Sequence, residues 1–174
     1  MFKRKKLVLI LIYLFISNIA YSENKIAYLD MNFLMNKSEV GISINKKIKI
    51  LEKKLADELK KKEEILQKEK QSVISQKNIL EKAEFEKKIM QFNTKLDMHQ
   101  KKKNKSINDI NKKRLEASQE FLNEVTKILA EYSTEHSISL IIQKKNIVIG
   151  MKEFDITEDI LKASNQKIKK IEIK

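Results

Sequence analysis

The sequence contains no cysteine, no proline and no tryptophan, and it has only two glycines and two histidines in 174 residues. Without cysteine there is no disulfide, no zinc–thiolate site, no thiol nucleophile and no acceptor for lipoprotein acylation. His99 and His136 stand too far apart in sequence to offer a metal-ligand spacing. No glycine-rich loop is present to cradle a phosphate, and no clustered His or Ser–His pair points to nucleophilic catalysis. The abundant carboxylates lie on polar helix faces opposite lysines, where ion pairing accounts for them. An enzyme is therefore the weakest functional class, and no cofactor, catalytic residue or metal site is expected. Aromatics make up 6% of the chain and charged residues 35%. A chain this polar buries little apolar surface per residue, which argues against one compact globule. Its charged, helix-forming composition points to long helices or a coiled coil.

The formal charge is +13. Such a balance favours acidic partners: nucleic acid, anionic lipid or an acidic polypeptide. A compositional bias toward Lys, Asn and Ile supplies the alternative reading of a solvated face. Lys3, Arg4, Lys5 and Lys6 open the chain, an apolar run follows from Leu7 to Ile16, and Ala20 and Ser22 take the two small-residue positions of a cleavage site. These are the parts of an export signal at residues 1–22, with cleavage expected after Ser22. The apolar run is short beside the ~20 residues of a membrane span, although an uncleaved anchor is the alternative. Export from a bacterial cell places the mature chain outside the cytoplasm, where an ATP-driven mechanism is not expected.

Between Ile42 and Tyr132 the apolar residues recur thinly, at steps of three, four and seven, among Lys, Glu, Gln and Asn. This predicts two long helices folded back on each other. The first is expected over 42–80, with Leu59, Leu66, Val73 and Leu80 at heptad steps, and would reach ~58 Å at 1.5 Å per residue. The other seam position is apolar at Ile48 and Leu55 but polar at Lys62, Glu69 and Gln76, so the seam thins outward. A reversal is expected around 78–82, because an unsupported helix of this length leaves its stripes unpaired. The second helix carries Phe85, Ile89, Phe92 and Leu96, then Phe121, Val125, Ile128 and Tyr132, with a polar gap at 99–106. The weak seam predicts an arm that bends and splays. Ile74, Ile79, Leu80, Phe85, Ile89, Met90 and Phe92 are candidates for an adaptable apolar surface, methionine being a soft side chain suited to varied partners. The competing reading is that they close the hairpin tip on itself. Lys101, Lys102, Lys103 and Lys105 are either a solvated face or an anionic contact site, each a screened point charge. No interleaved aromatics point to base stacking.

The flanking segments predict a small body over residues 23–41 and 133–174. Lys25 to Asp30 (KIAYLD) reads as a strand, Asn32 as the cap of a following helical turn, and Gly41 as a bend before the first long helix. Runs 138–143 (ISLIIQ) and 147–150 (IVIG) flank Lys144-Lys145-Asn146 and read as a β-hairpin. Thr157 is the expected N-cap of a closing helix with acidic residues in its first turn, and the polar tail 165–174 is expected to fray. Ile26, Tyr28, Leu140, Ile142, Ile147 and Ile149 are the candidate body core. Three strands leave exposed edges, which several chains could cover by pooling them.

In this order of elements the chain resembles the Skp/OmpH family of periplasmic chaperones. The resemblance rests on KIAYLD directly after the export signal, on ISLIIQ and IVIG around Lys144-Lys145-Asn146, on DITEDIL at 155–161, and on ILEKAEFEKKI at 79–89, where the family turns at its arm tips. It covers Lys25 to about Ser164. Asp155-Ile156-Thr157 is its most specific element, whereas any coiled coil would match the lysine-rich arms. The resemblance implies an α+β fold: a small β-body pooled between the subunits of a homotrimer, with a long protruding antiparallel helical hairpin on each. It also implies an ATP-independent holdase for unfolded outer-membrane β-barrel proteins, held in a cavity between arms, with peripheral contact to an anionic membrane. The high lysine and asparagine content and the 99–106 gap blur any lipopolysaccharide motif, and no such site is carried over. The alternatives from other classes are a basic coiled coil that binds nucleic acid, which the export signal opposes, and a structural coiled coil that tethers envelope layers, which needs a retained anchor.

Overall fold

The structure is a computed structural model that describes residues 25–173, so the expected export signal and its cleavage after Ser22 lie outside the described residues. The chain opens with strand β1 (Lys25–Leu29). Helix α1 (Met31–Lys37) follows at once. Its cap is Asp30 rather than Asn32: Asp30 Oδ1 accepts from the Phe33 N–H at 2.9 Å. One bend later, Ser38 caps α2 (Glu39–Ser75), its Oγ accepting from the Gly41 N–H at 3.1 Å. The bend thus sits at Ser38, and Gly41 lies inside the first turn of α2. Glycine is required there by close approach, because a Cβ would stand 2.1 Å from the Met35 carbonyl oxygen.

The chain reverses through Gln76–Glu81, close to the expected turn, and returns as α3 (Lys82–Glu135). Ser137, at φ 55°, then turns the chain into β2 (Ile138–Gln143). β1 and β2 pair in parallel, with Ile26 opposite Leu140 and Tyr28 opposite Ile142. Parallel neighbours need a crossover, and here the crossover is the whole helical hairpin.

The expected hairpin of 138–143 with 147–150 does not form. After β2 a short 3₁₀ turn (Lys144–Asn146) redirects the chain, and Ile147–Gly150 is irregular. The competing interaction is on β1. Its Tyr28 carbonyl accepts from the Ile156 N–H at 3.0 Å, and Tyr28 bridges Asp155. The Tyr28 hydroxyl donates to the Met151 carbonyl at 3.1 Å. The 144–156 loop is therefore folded over Tyr28 instead of returning along β2.

Asp155 organises this closure. Its carboxylate accepts from the Thr157 N–H at 3.0 Å and from Lys144 Nζ at 3.0 Å. Thr157 is the first residue of α4 (Thr157–Lys167) rather than its cap. Its hydroxyl oxygen accepts instead from the Asp30 N–H at 2.9 Å, which ties α4 to the end of β1. The core joins both ends of the chain to the roots of the long helices: Leu29, Leu34, Ile44, Phe121, Val125 and Ile160 are buried outright. The tail does not fray. Ile168 and Ile171 are buried in the same core, because the polar residues between them leave the isoleucines free to face inward.

Two outcomes follow from this packing. Deletion of residues 168–174 should cost about 3–6 kcal/mol, at about 1.5–3 kcal/mol for each of the buried isoleucines Ile168 and Ile171, measured by urea unfolding. Burial pushes the Asp155 carboxyl up, but the Thr157 hydroxyl and N–H and the Lys144 ammonium outweigh it and hold the group below the usual carboxylate range. Its contribution is therefore present above the unfolded pKa of about 3.9 and is lost as the pH falls through the lower folded value. Asp155→Asn should lower stability at neutral pH by about 2 kcal/mol and flatten the acid limb of the stability curve.

Candidate functional site

The long hairpin is buried in two separate places. At its root, Ile44 and Ile48 of α2 meet Ala117, Phe121 and Val125 of α3 in the body core. Far out, Leu66, Val73 and Phe92 are buried again. Between them the expected seam positions Leu55 and Leu59 are only half-buried and Lys62 is exposed, and the α3 side of the seam is filled by His99, Lys103, Ser106, Ile110 and Lys113. The thin seam read from the sequence is thus confined to the middle of the arm.

Cross-helix polar pairs hold the register through and beyond this gap. Glu52 pairs with Arg114, Glu63 with Lys103 at 3.2 Å, Glu69 with Lys95, and Gln76 with Lys88 at 2.6 Å. Each exposed ion pair contributes only about 0.2–1 kcal/mol. Their value is in fixing one antiparallel alignment where apolar packing is sparse. The sequence carried that signal, because oppositely charged residues approach one midpoint from both sides, but only a known turn position makes it readable.

The candidate apolar surface at the outer arm divides in two. Ile79 is 78% exposed and Met90 66%, with Ile74 also exposed. Leu80, Phe85 and Ile89 are half-buried. Phe92 belongs elsewhere: it is 6% exposed and packed inside the hairpin, so the expectation that it is a surface residue is corrected. The helical spacing places it on the inward stripe, one heptad step from Phe85 and His99, both half-buried. Phe85, Ile89 and Met90 line a shallow groove along α3 together with Glu86, Asn93, Thr94 and Asp97.

The lysine cluster also divides. Lys101 pairs with Asp97 one turn back at 2.7 Å, and Lys103 is half-buried against Glu63. Lys102 and Lys105 are exposed. The four ammonium groups therefore do not form one patch.

In the body, Tyr28 is buried, while Ile142 and Ile147 are half-buried. Ile26 and Leu140, opposite each other on the sheet, are about half exposed, and Ile149 is 91% exposed beside an exposed Val148. A groove runs along β2, lined by Leu122, Leu129, Ile138, Leu140 and Ile141. Among the described residues, no helix is long and apolar enough to cross a membrane.

The profile of the OmpH-like outer membrane protein family matches residues 25–163, which spans the sheet, both long helices and most of α4. The chain belongs to the OmpH-like family. Among solved structures it is similar to an OmpH-like protein of Caulobacter crescentus, described as a candidate outer membrane chaperone. The TM-score is 0.77 at 15% identity, over 84% of this chain and 87% of the other. That likeness shows a shared α+β fold with helical arms. No curated protein matches the chain. Membership of the family supports a chaperone role in general terms.

The two-part burial of the arm has a measurable consequence. Phe92→Ala should cost about 3 kcal/mol locally, so amides near Leu66, Val73 and Phe92 should exchange about 100-fold faster. Amides of the body core around Phe121 and Val125 should keep their protection.

Proposed function

We propose that this protein is an ATP-independent periplasmic holdase that keeps unfolded outer-membrane β-barrel proteins from aggregating. The observation that carries the reading is the outer arm, where Ile74, Ile79 and Met90 stand exposed beside half-buried Leu80, Phe85 and Ile89. A hairpin that closed its tip on itself would bury them. Exposed apolar side chains concentrated at one end of an element fit an interaction site, and the soft methionine side chain suits clients of varied sequence. Excess positive charge adds long-range attraction toward acidic polypeptides and the anionic membrane, as a screened and non-directional force.

In this reading residues 42–132 are the arm, and residues 23–41 and 133–174 are the body. The body assembles as a homotrimer, and three arms enclose the client cavity. Support for assembly comes from the apolar surface that one chain leaves uncovered: Ile26, Leu140, Val148 and Ile149, with the groove along β2. Secretion through the segment ending at Ser22 delivers the chain to the periplasm, where no nucleotide is at hand. No bond is made or broken, and binding is the sum of many weak contacts.

The mature chain from Glu23, without nucleotide, should suppress the aggregation of an outer-membrane β-barrel protein diluted from urea at one trimer per client. Unchanged aggregation rejects the holdase. Ile79→Ser with Met90→Ser should weaken client binding about 30-fold, since each removes about 1 kcal/mol of apolar burial. Light scattering should return the mass of three chains, and a monomer rejects the shared body and its cavity.

A further inference from the structure

The chain has no cysteine, so its six methionines carry every sulfur that a mild two-electron oxidant can reach. They are unevenly placed. Met1 belongs to the expected export signal. Met31 and Met35 are half-buried against the body core. Met90 is 66% exposed, Met98 64% and Met151 61%. Two of these exposed thioethers stand on α3, and each lines a groove of the arm. The grooves differ in what they offer a new polar atom. Around Met90 the polar neighbours are Glu86, Asn93, Thr94 and Asp97. Ionised carboxylates only accept hydrogen bonds, and the Thr94 hydroxyl already donates to the Met90 carbonyl at 2.9 Å. Around Met98 stand Lys61, Lys62, Lys95 and Lys102, whose ammonium groups only donate. A sulfoxide oxygen, which accepts, therefore faces acceptors at Met90 and donors at Met98.

We propose that Met90 is a reversible oxidation site: a peroxide converts its thioether to the sulfoxide, and the outer-arm groove then loses its grip on clients. The effect on clients rests on the holdase reading. In the step, the sulfur lone pair attacks one peroxide oxygen, so that an S–O bond forms and the O–O bond breaks. Sulfur is oxidised by two electrons. The departing hydroxide takes the proton from the transferred oxygen and leaves as water. A dithiol reductase reverses the change, with the sulfoxide oxygen leaving as water and the dithiol becoming a disulfide. Those thiols come from another protein, since this chain has none. Asn93 is the one side-chain donor left in the lining around Met90. The sulfoxide oxygen there draws in bulk water and keeps it against Phe85 and Ile89, where an apolar client segment would pack. At Met98 the same oxygen accepts from a lysine ammonium, and its oxidation leaves capture at the outer groove intact.

The test treats the mature protein with hydrogen peroxide and maps the oxidised peptides by mass spectrometry. Met90 and Met98 should oxidise about 10-fold faster than Met31 and Met35 in the native protein, and the rates should converge in urea. Oxidation should weaken capture of an unfolded outer-membrane β-barrel protein about 5-fold, the share of one exposed apolar side chain. Met90→Leu keeps an apolar side chain without the sulfur, so it should bind clients like the untreated protein and stay within about twofold after peroxide. Met98→Leu should lose affinity on oxidation as the parent does. Circular dichroism checks that both variants keep their helices. Methionine sulfoxide reductases with a dithiol should restore capture. Equal native rates at all four methionines overturn the site. Equal loss in the parent and in Met90→Leu moves the effect away from Met90, and failure of the reductases to restore capture overturns reversibility. An untreated protein that captures no client rejects the holdase reading instead, and the peptide map still decides whether Met90 is the reactive thioether.

Discussion

The parallel pairing of β1 with β2 is the constraint on which the rest of the structure depends. Two strands of five and six residues are too small to stand alone. Parallel alignment obliges the chain to travel out and back between them, and helices of 7, 37 and 54 residues make that journey. The pairing is held from one side by the arm roots and from the other by the Asp155 closure. Phe121 and Val125 pack beneath it, α4 seals it with Ile160, and Ile168 and Ile171 complete the seal. A long polar hairpin can therefore project from a small core, because that core contains both of the hairpin's ends.

The arm itself is built by a different balance. Beyond Ile48 and Ala117 its apolar contacts are intermittent, and weak polar pairs maintain the alignment until Leu66, Val73 and Phe92 provide a second anchor. Exposed pairs of about 0.2–1 kcal/mol each resist bending less than a full heptad seam would. The proposed chaperone role uses that compliance, since a wall around a polymer of varied shape must adapt to it.

Much of the architecture was legible in the sequence because periodicity is a local property. The helical hairpin, its reversal within a few residues, the first strand and the closing helix all come from spacings within one element. The misreadings occurred where a long-range contact prevailed over a local signal. IVIG has the composition of a strand, but Asp155 and Ile156 take the free edge of β1 and Tyr28 draws the loop over itself. Thr157 has the chemistry of a cap, yet its hydroxyl serves Asp30 on another element. Phe92 counts as apolar in either reading, and only its burial between the packed helices decides that it lies inside.

The sequence by itself determined the class of element, the polarity of the chain and the absence of disulfide, thiolate or phosphate-loop chemistry. These follow from residue type and spacing, and no fold can supply a missing side chain. Only the tertiary structure decided which apolar residues remain outside, which lysines are paired, and that the two strands run parallel. Those depend on distances between residues far apart in the chain: Lys103 reaches Glu63, and Thr157 reaches Asp30, only once the helices have turned back. Exposure is likewise a property of the packed chain. Ile79 and Phe92 are both large and apolar, and the turn of one helix against another leaves the first in water and buries the second.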